Sequence, residues 1–151
     1  MKEVIYKILK FIDSNINQKI DIDYLSKHFY INRYYLMKLF KREMGLTINN
    51  YINSLRIYNS LKDIKDKSIL NVALKNGFYS QEYYSETFKK IMGVKPITYK
   101  KYINYDKSVS YKEIDIILNN LINLKDIVNK KENYLHNFLY QDHEQVLSIF
   151  R

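Results

Sequence analysis

The sequence predicts an all-α fold: two helix–turn–helix modules joined by a connecting helix, with a helical extension at the C-terminus. Three observations predict it. Apolar residues recur at i, i+3, i+4 and i+7 along the chain, which is one buried face of a helix. With three glycines and one proline in 151 residues, there is little material for the tight turns of a sandwich or barrel. A good N-cap, a basic amphipathic run and a glycine stop occur in the same order twice, 48 residues apart.

The elements follow in order. Ile5, Ile8, Leu9, Ile12 and Ile16 share one face of a first helix, with Lys2, Lys7 and Lys10 turned away. After a loop at Asn17–Ile20, Asp21 or Asp23 caps a second helix over Tyr24–Phe29, because a carboxylate there accepts from the free first-turn amides. Tyr30–Ile31–Asn32 is a turn, and Asn32 caps a third helix, Arg33 to Met44, stopped by Gly45. Thr47 caps a connecting helix predicted to run Ile48–Ile64, roughly 25 Å at about 1.5 Å per residue. Ser68 caps Ile69–Asn76, and Gly77 follows. Ser80 caps Gln81–Met92, closed by Gly93, and Pro96 opens a last short helix, Ile97–Tyr102.

A shift of 48 residues lays Phe40-Lys41-Arg42-Glu43-Met44-Gly45 on Phe88-Lys89-Lys90-Ile91-Met92-Gly93, Asn32 on Ser80, Tyr35 on Tyr83 and Tyr51 on Tyr99. A short turn between two amphipathic helices, occurring twice across a rigid connector, is the pattern of a bipartite DNA reader. Its two reading helices would enter major-groove segments about 34 Å apart.

Charge agrees. Residues 1–103 hold 19 Lys and Arg against 9 Asp and Glu, a net of +10, while residues 104–151 hold 6 against 7. A basic domain of this size attracts polyanions, double-stranded DNA first. The absence of cysteine excludes disulfides and thiol chemistry. No run of 18 apolar residues is present, and the N-terminus lacks a signal peptide's apolar core, so the expected location is the cytoplasm. There is no phosphate-cradling glycine loop and no nucleophile elbow. His136 and His143, seven apart, lack a third ligand pattern, so no metal, cofactor or enzyme activity is expected.

The residues resemble the AraC family of bacterial transcription regulators. The second copy carries Ser68-Ile69, Val72-Ala73, Gly77-Phe78, Tyr83-Tyr84, Phe88-Lys89-Lys90, Gly93-Val94, Pro96 and Tyr99. The first adds Leu36, Phe40-Lys41, Gly45, Tyr51-Ile52 and Arg56, and the similarity covers about residues 4–102. The resemblance implies seven helices, binding to an asymmetric promoter site as a monomer, and control of RNA polymerase recruitment. Many members carry a separate effector domain; none is expected ahead of this reader. Ser26 and Ser60 stand where the family usually has alanine, and Arg56–Ser68 is about two residues short, which would end the connector early.

On the first reading helix, Leu36, Leu39 and Phe40 face the core. Arg33, Tyr34, Met37 and Lys38 face outward: the cations suit guanine, the tyrosine and methionine suit thymine methyls. Lys41 and Arg42 suit phosphates. On the second, Gln81 suits adenine and Glu82 a cytosine amino group, while Ser80, Lys89, Lys90 and Lys95 suit phosphates. Glu82 and Glu86 would repel phosphate, so the second module is expected to anchor more than discriminate. Arg56 is expected to brace the connecting helix, and Phe78, Phe88 and Tyr99 to lie in the core.

The chain divides into a DNA-binding domain at 1–103 and a helical tail at 104–151. In the tail Ile114, Leu121, Val128 and Leu135 repeat every seven residues, with Ile117, Leu124 and Phe138 at the other heptad position and Lys131 interrupting. With Asn129–Asn133 as a turn, the tail predicts a hairpin packed on itself or on the domain; homodimerisation and a polymerase or effector contact are the alternatives. The alternative function is an interaction protein of the same fold that has lost base readout and binds polymerase or another regulator.

Overall fold

A computed structural model describes residues 2–149, with the side chains of all of these except 138–146. The regular structure among the described residues is helical: α1 Lys2–Ser14, α2 Ile22–His28, α3 Arg33–Met44, α4 Ile48–Ser60, α5 Ile69–Lys75, α6 Gln81–Met92, α7 Pro96–Ile103 and α8 Tyr111–Ile149. None of these helices is long and apolar enough to cross a membrane.

Two cores result. Ile5, Ile8, Leu9 and Ile12 of α1 pack with Leu25, with Leu36, Leu39 and Phe40 of α3, and with Ile48, Tyr51, Ile52 and Leu55 of α4. The second core joins Ile57 and Ile64 to Val72 and Ala73 of α5, Tyr84, Phe88 and Met92 of α6, and Tyr99 of α7. Phe78, Phe88 and Tyr99 are buried there, as their spacing predicts.

The caps repeat across the modules. Asp21, not Asp23, caps α2, accepting from Asp23 N at 2.9 Å. Asn32 Oδ1 accepts from Tyr34 N and Tyr35 N, and Ser80 Oγ accepts from Tyr83 N at 3.0 Å. Gly45 and Gly93 end α3 and α6 at φ of +83° and +79°.

The connecting helix is shorter than predicted. α4 ends at Ser60 instead of Ile64, so its 13 residues span about 20 Å. Beyond it the chain tightens into turns, with Leu61 N donating to Tyr58 O and Asp63 N to Ser60 O. Two side chains hold that end. Ser60 Oγ lies 2.7 Å from both Ile57 O and the Tyr84 hydroxyl, so this serine partners a buried phenol that alanine would leave unpaired. Asp63 is buried and accepts from Lys75 Nζ at 3.0 Å, Asn76 Nδ2 at 3.2 Å and Lys67 Nζ at 3.3 Å.

Burial alone would push the Asp63 carboxyl up, but the hydrogen bonds from Lys75, Asn76 and Lys67 outweigh it and hold the group at about 2. A carboxylate depressed on folding stabilises fully above its unfolded pKa of about 4 and loses that contribution as pH falls towards 2. Denaturation followed between pH 6 and pH 2 should therefore show a steep acid limb that Asp63→Asn flattens. Parallel acid limbs for the two proteins would assign the acid sensitivity elsewhere.

The tail departs from the predicted hairpin. α8 is one continuous helix, and Asn129–Asn133 is a helical turn within it, since that segment has no glycine or proline to break the hydrogen-bond ladder. Its start is a capping box: Ser110 Oγ accepts from Glu113 N at 3.1 Å, and Glu113 Oε1 accepts from Ser110 N at 3.0 Å. Ile117 and Leu124 enter the second core, while Ile127, Val128 and Leu135 pack on the first. Of the heptad residues, Ile117, Leu121, Leu124, Val128 and Leu135 thus pack within the chain. Phe138 and His143 lie outside the residues whose side chains are described. Lys131, the heptad interruption, is buried and donates to Asp13 Oδ1 at 3.0 Å, with Glu132 Oε1 at 2.8 Å, tying α8 to the end of α1.

One group in the first core is unsatisfied. The Tyr51 hydroxyl is buried without a hydrogen-bond partner among the described residues, and burial pushes its pKa well up. Tyr51→Phe removes the unpaired group and keeps the ring against Phe40, so it should stabilise by about 1 kcal/mol, a rise of roughly 3 °C in Tm. A loss of stability measured by calorimetry would mean that the hydroxyl has a partner in solution.

Candidate nucleic-acid interface

Each module places a reader helix by the same local device. In the second, Phe78 N donates to Ala73 O and Gly77 N to Leu74 O, the two bonds of a Schellman ending, with Gly77 at φ +86°. In the first, Ile31 N donates to Ser26 O and Tyr30 N to Lys27 O, with Tyr30 in the left-handed position at φ +55°. The first-turn helices therefore correspond at an offset of 47, and the reader helices at 48. The extra residue in the second turn is Tyr79.

Tyr79 was not among the expected contacts, although comparing the two turn lengths would have singled it out. It is 80% exposed and stacks on Tyr83, with ring centroids 4.9 Å apart. Both rings line a groove of about 760 Å³ between the modules, which also takes in Asn17, Lys19 and Asn49 and has no carboxylate in its lining.

Arg56 closes the back of this groove. Its Nε donates to Ile16 O at 2.7 Å and its Nη2 to Gln18 O at 2.6 Å. The guanidinium is a brace between α4 and the loop after α1, with burial lowering its pKa from the usual value. It is spent internally and is not a phosphate contact.

On α3, Arg33, Tyr34, Met37 and Lys38 are all exposed, as are Lys41 and Arg42. Arg33 is partly engaged: its Nη1 lies 2.8 Å from Asp23 Oδ1 on α2. Both side chains are half-exposed, so this pair is screened, and the other guanidinium donors still face outward. Arg42 has Glu43 beside it at 3.6 Å.

The α6 residues separate into two groups. Gln81, Lys89 and Lys95 line one hollow of about 280 Å³, together with Glu86 and the start of α7. Lys90 lines a different groove, shared with α4 and α8. Glu82 is exposed at the first turn of α6. The Ser80 hydroxyl accepts from Tyr83 N as the cap, leaving its proton to donate outward.

The second reader helix is held at its C-terminal end by α8, which also brings Lys130 close to the end of the first. Asn120 Nδ2 donates to Met92 O at 3.1 Å, and a Cβ at Gly93 would run into Asn120 and Ile116. Lys130 Nζ lies beside Gly45, where a cation complements a helix C-terminus. The N-terminal ends, which carry Arg33, Tyr34, Gln81 and Glu82, are left open. No cluster of three or more His, Asp or Glu able to hold a metal is found among the described residues.

Comparison with known proteins bears on the same segment. The model of a family described as a helix-turn-helix domain matches residues 25–102. The melibiose operon regulatory protein of Escherichia coli strain K12 is 38% identical over 97 residues, 63% of this chain and 32% of that protein. The chain thus spans about a third of that relative's length. The transposon Tn10 TetD protein of Escherichia coli is 31% identical over 100 residues, 65% of this chain and 72% of that one. Among solved structures, a Listeria innocua protein of unknown function superposes with a TM-score of 0.60 at 28% identity, covering 65% of this chain and 95% of its own. The DNA-binding domain of AdpA, solved with a target DNA, superposes with a TM-score of 0.58 at 19% identity, which shows a shared fold; the match covers 72% of this chain and 96% of that one. With two capped turns, two glycine-stopped reader helices and these relatives, the chain belongs to the AraC-type helix-turn-helix family.

Proposed function

We propose that this chain is a sequence-specific DNA-binding transcription regulator that reads two successive major-groove segments of a promoter. The observation that carries the reading is the repeated module: α3 and α6 have matching caps and glycine stops, open N-terminal ends, and two helices, α4 and α8, that bridge both cores. Arg33, Tyr34, Met37 and Lys38 read bases in one segment, Gln81 and Glu82 in the other. Lys41, Arg42, Ser80, Lys89, Lys90 and Lys95 hold phosphates. The protein binds as a monomer in the cytoplasm, acts on RNA polymerase recruitment, and performs no catalysis.

A second reading, a partner-binding protein of the same fold, draws on the Arg33–Asp23 pair and on the carboxylates Glu82 and Glu86 exposed on α6. Selection of genomic fragments by the full chain, with a salt titration on the best one, separates the two. A regulator should recover a two-block site with a preference on the order of a thousandfold over random DNA. On that site Lys38→Ala should weaken binding about tenfold or more and relax one base position, whereas Lys41→Ala should reduce the salt slope by about 1. Salt-dependent binding with no selected sequence would favour the partner-binding protein.

A further inference from the structure

The phosphate contacts assigned above lie on or beside the reader helices, and none of them lines the groove between the modules. One wall of that groove is Asn17 and Lys19, on the approach to α2, the first helix of the first module. The other wall is Tyr79 and Tyr83, at the open N-terminal end of the second reader. The floor is α4, with Asn49 and Asn53. Asn53 Nδ2 lies 3.2 Å from the Tyr83 hydroxyl and donates to it, tying floor to wall across the two modules. Asn17, Lys19, Asn49 and Tyr79 are all exposed, and the lining holds no carboxylate.

Two readers in major-groove segments about 34 Å apart leave half a turn of duplex between them. Midway, the duplex turns its minor groove and the backbone bordering it towards the connecting helix. We propose that the groove between the modules seats this sugar–phosphate strand, with the Lys19 ammonium and the Tyr79 hydroxyl as its phosphate donors. The inference rests on the two-block reading above and adds a central anchor to it. A cation, a phenol and side-chain amides all donate to phosphate oxygens, and no carboxylate opposes a polyanion there. Lys19 stands just ahead of the helix that crosses the backbone in this motif. Tyr79 is held by its stack on Tyr83, ring centroids 4.9 Å apart, so a contact through its hydroxyl orders little that is free. The two donors come from different modules, so one strand lying on both couples the modules through the DNA.

The test uses the full chain on its selected site, with Lys19→Ala, Tyr79→Phe and, as comparator, Lys38→Ala. Both new variants alter exposed side chains, and Tyr79→Phe keeps the stack on Tyr83. Lys19→Ala should weaken binding about fivefold and reduce the salt slope by about 1, with base preferences unchanged. Tyr79→Phe should weaken it about threefold. A single neutral methylphosphonate is then moved along the strand between the blocks. At one position it should weaken the wild type by about as much as Lys19→Ala does, and there Lys19→Ala should have no further effect. Wild-type affinity in Lys19→Ala or Tyr79→Phe, a shift in base preference, or a Lys19→Ala effect that persists at every neutralised position overturns the proposal. The two-block reading survives those results if Lys38→Ala still weakens the site. Failure to select any two-block site overturns both.

Discussion

Gly77→Ala should lower stability by about 3 kcal/mol, near 10 °C in Tm for a chain of this size. Two costs add. At φ +86° an alanine pays the left-handed penalty of about 1 kcal/mol. Its Cβ would also sit 2.9 Å from Arg56 Nε and 3.2 Å from both Asn17 Cα and Ile16 O. Arg56 cannot step aside freely, because the same guanidinium satisfies the carbonyls of Ile16 and Gln18. Tyr30 is the internal control. It holds the equivalent left-handed position at φ +55° but is 96% exposed. Tyr30→Gly should therefore gain about 0.5–1 kcal/mol. Thermal unfolding of both variants checks the pair, and a Gly77→Ala loss under about 1 kcal/mol would mean that the contact with Arg56 is slack.

The double variant Ile117→Ala, Leu124→Ala should cost about 5 kcal/mol, the lower end of a whole domain's stability. Both side chains are essentially fully buried in the second core, and both come from the tail. Each truncation removes buried methyl groups and leaves a cavity that rigid helices fill poorly, about 3 kcal/mol apiece before neighbouring effects. Denaturant titration of the full chain measures the sum. A cost near zero would mean that α8 rests on the modules without being part of their core.

The two modules were legible because their signals are local. Asn32 and Ser80 cap through bonds to amides two or three residues away, and Gly45 and Gly93 terminate by their own φ, so α3 and α6 run within the limits that the residues predict. The outward positions of Arg33, Tyr34, Met37 and Lys38 followed from the apolar stripe of Leu36, Leu39 and Phe40. The capping box Ser110–Glu113 is equally local and marks where α8 starts, whereas the polar run Asn129–Asn133 reads as a turn and lies inside that helix. What docks that run against α1 is distant: the buried Lys131 pairs with the half-exposed Asp13, 118 residues earlier.

The sequence by itself therefore determined the all-helical class, the doubled module, its caps and stops, and the exposed faces of the reader helices. These depend on spacing and on bonds within a few residues. Tertiary structure alone decided the residue at which α4 ends, which carbonyls Arg56 braces, and that the tail is a second bridge between the cores. The physical reason is that each rests on groups far apart in the chain. Ser60 meets Tyr84, Asp63 gathers Lys75 and Asn76, Arg56 reaches Ile16, and Lys131 reaches Asp13; no periodicity encodes those pairings.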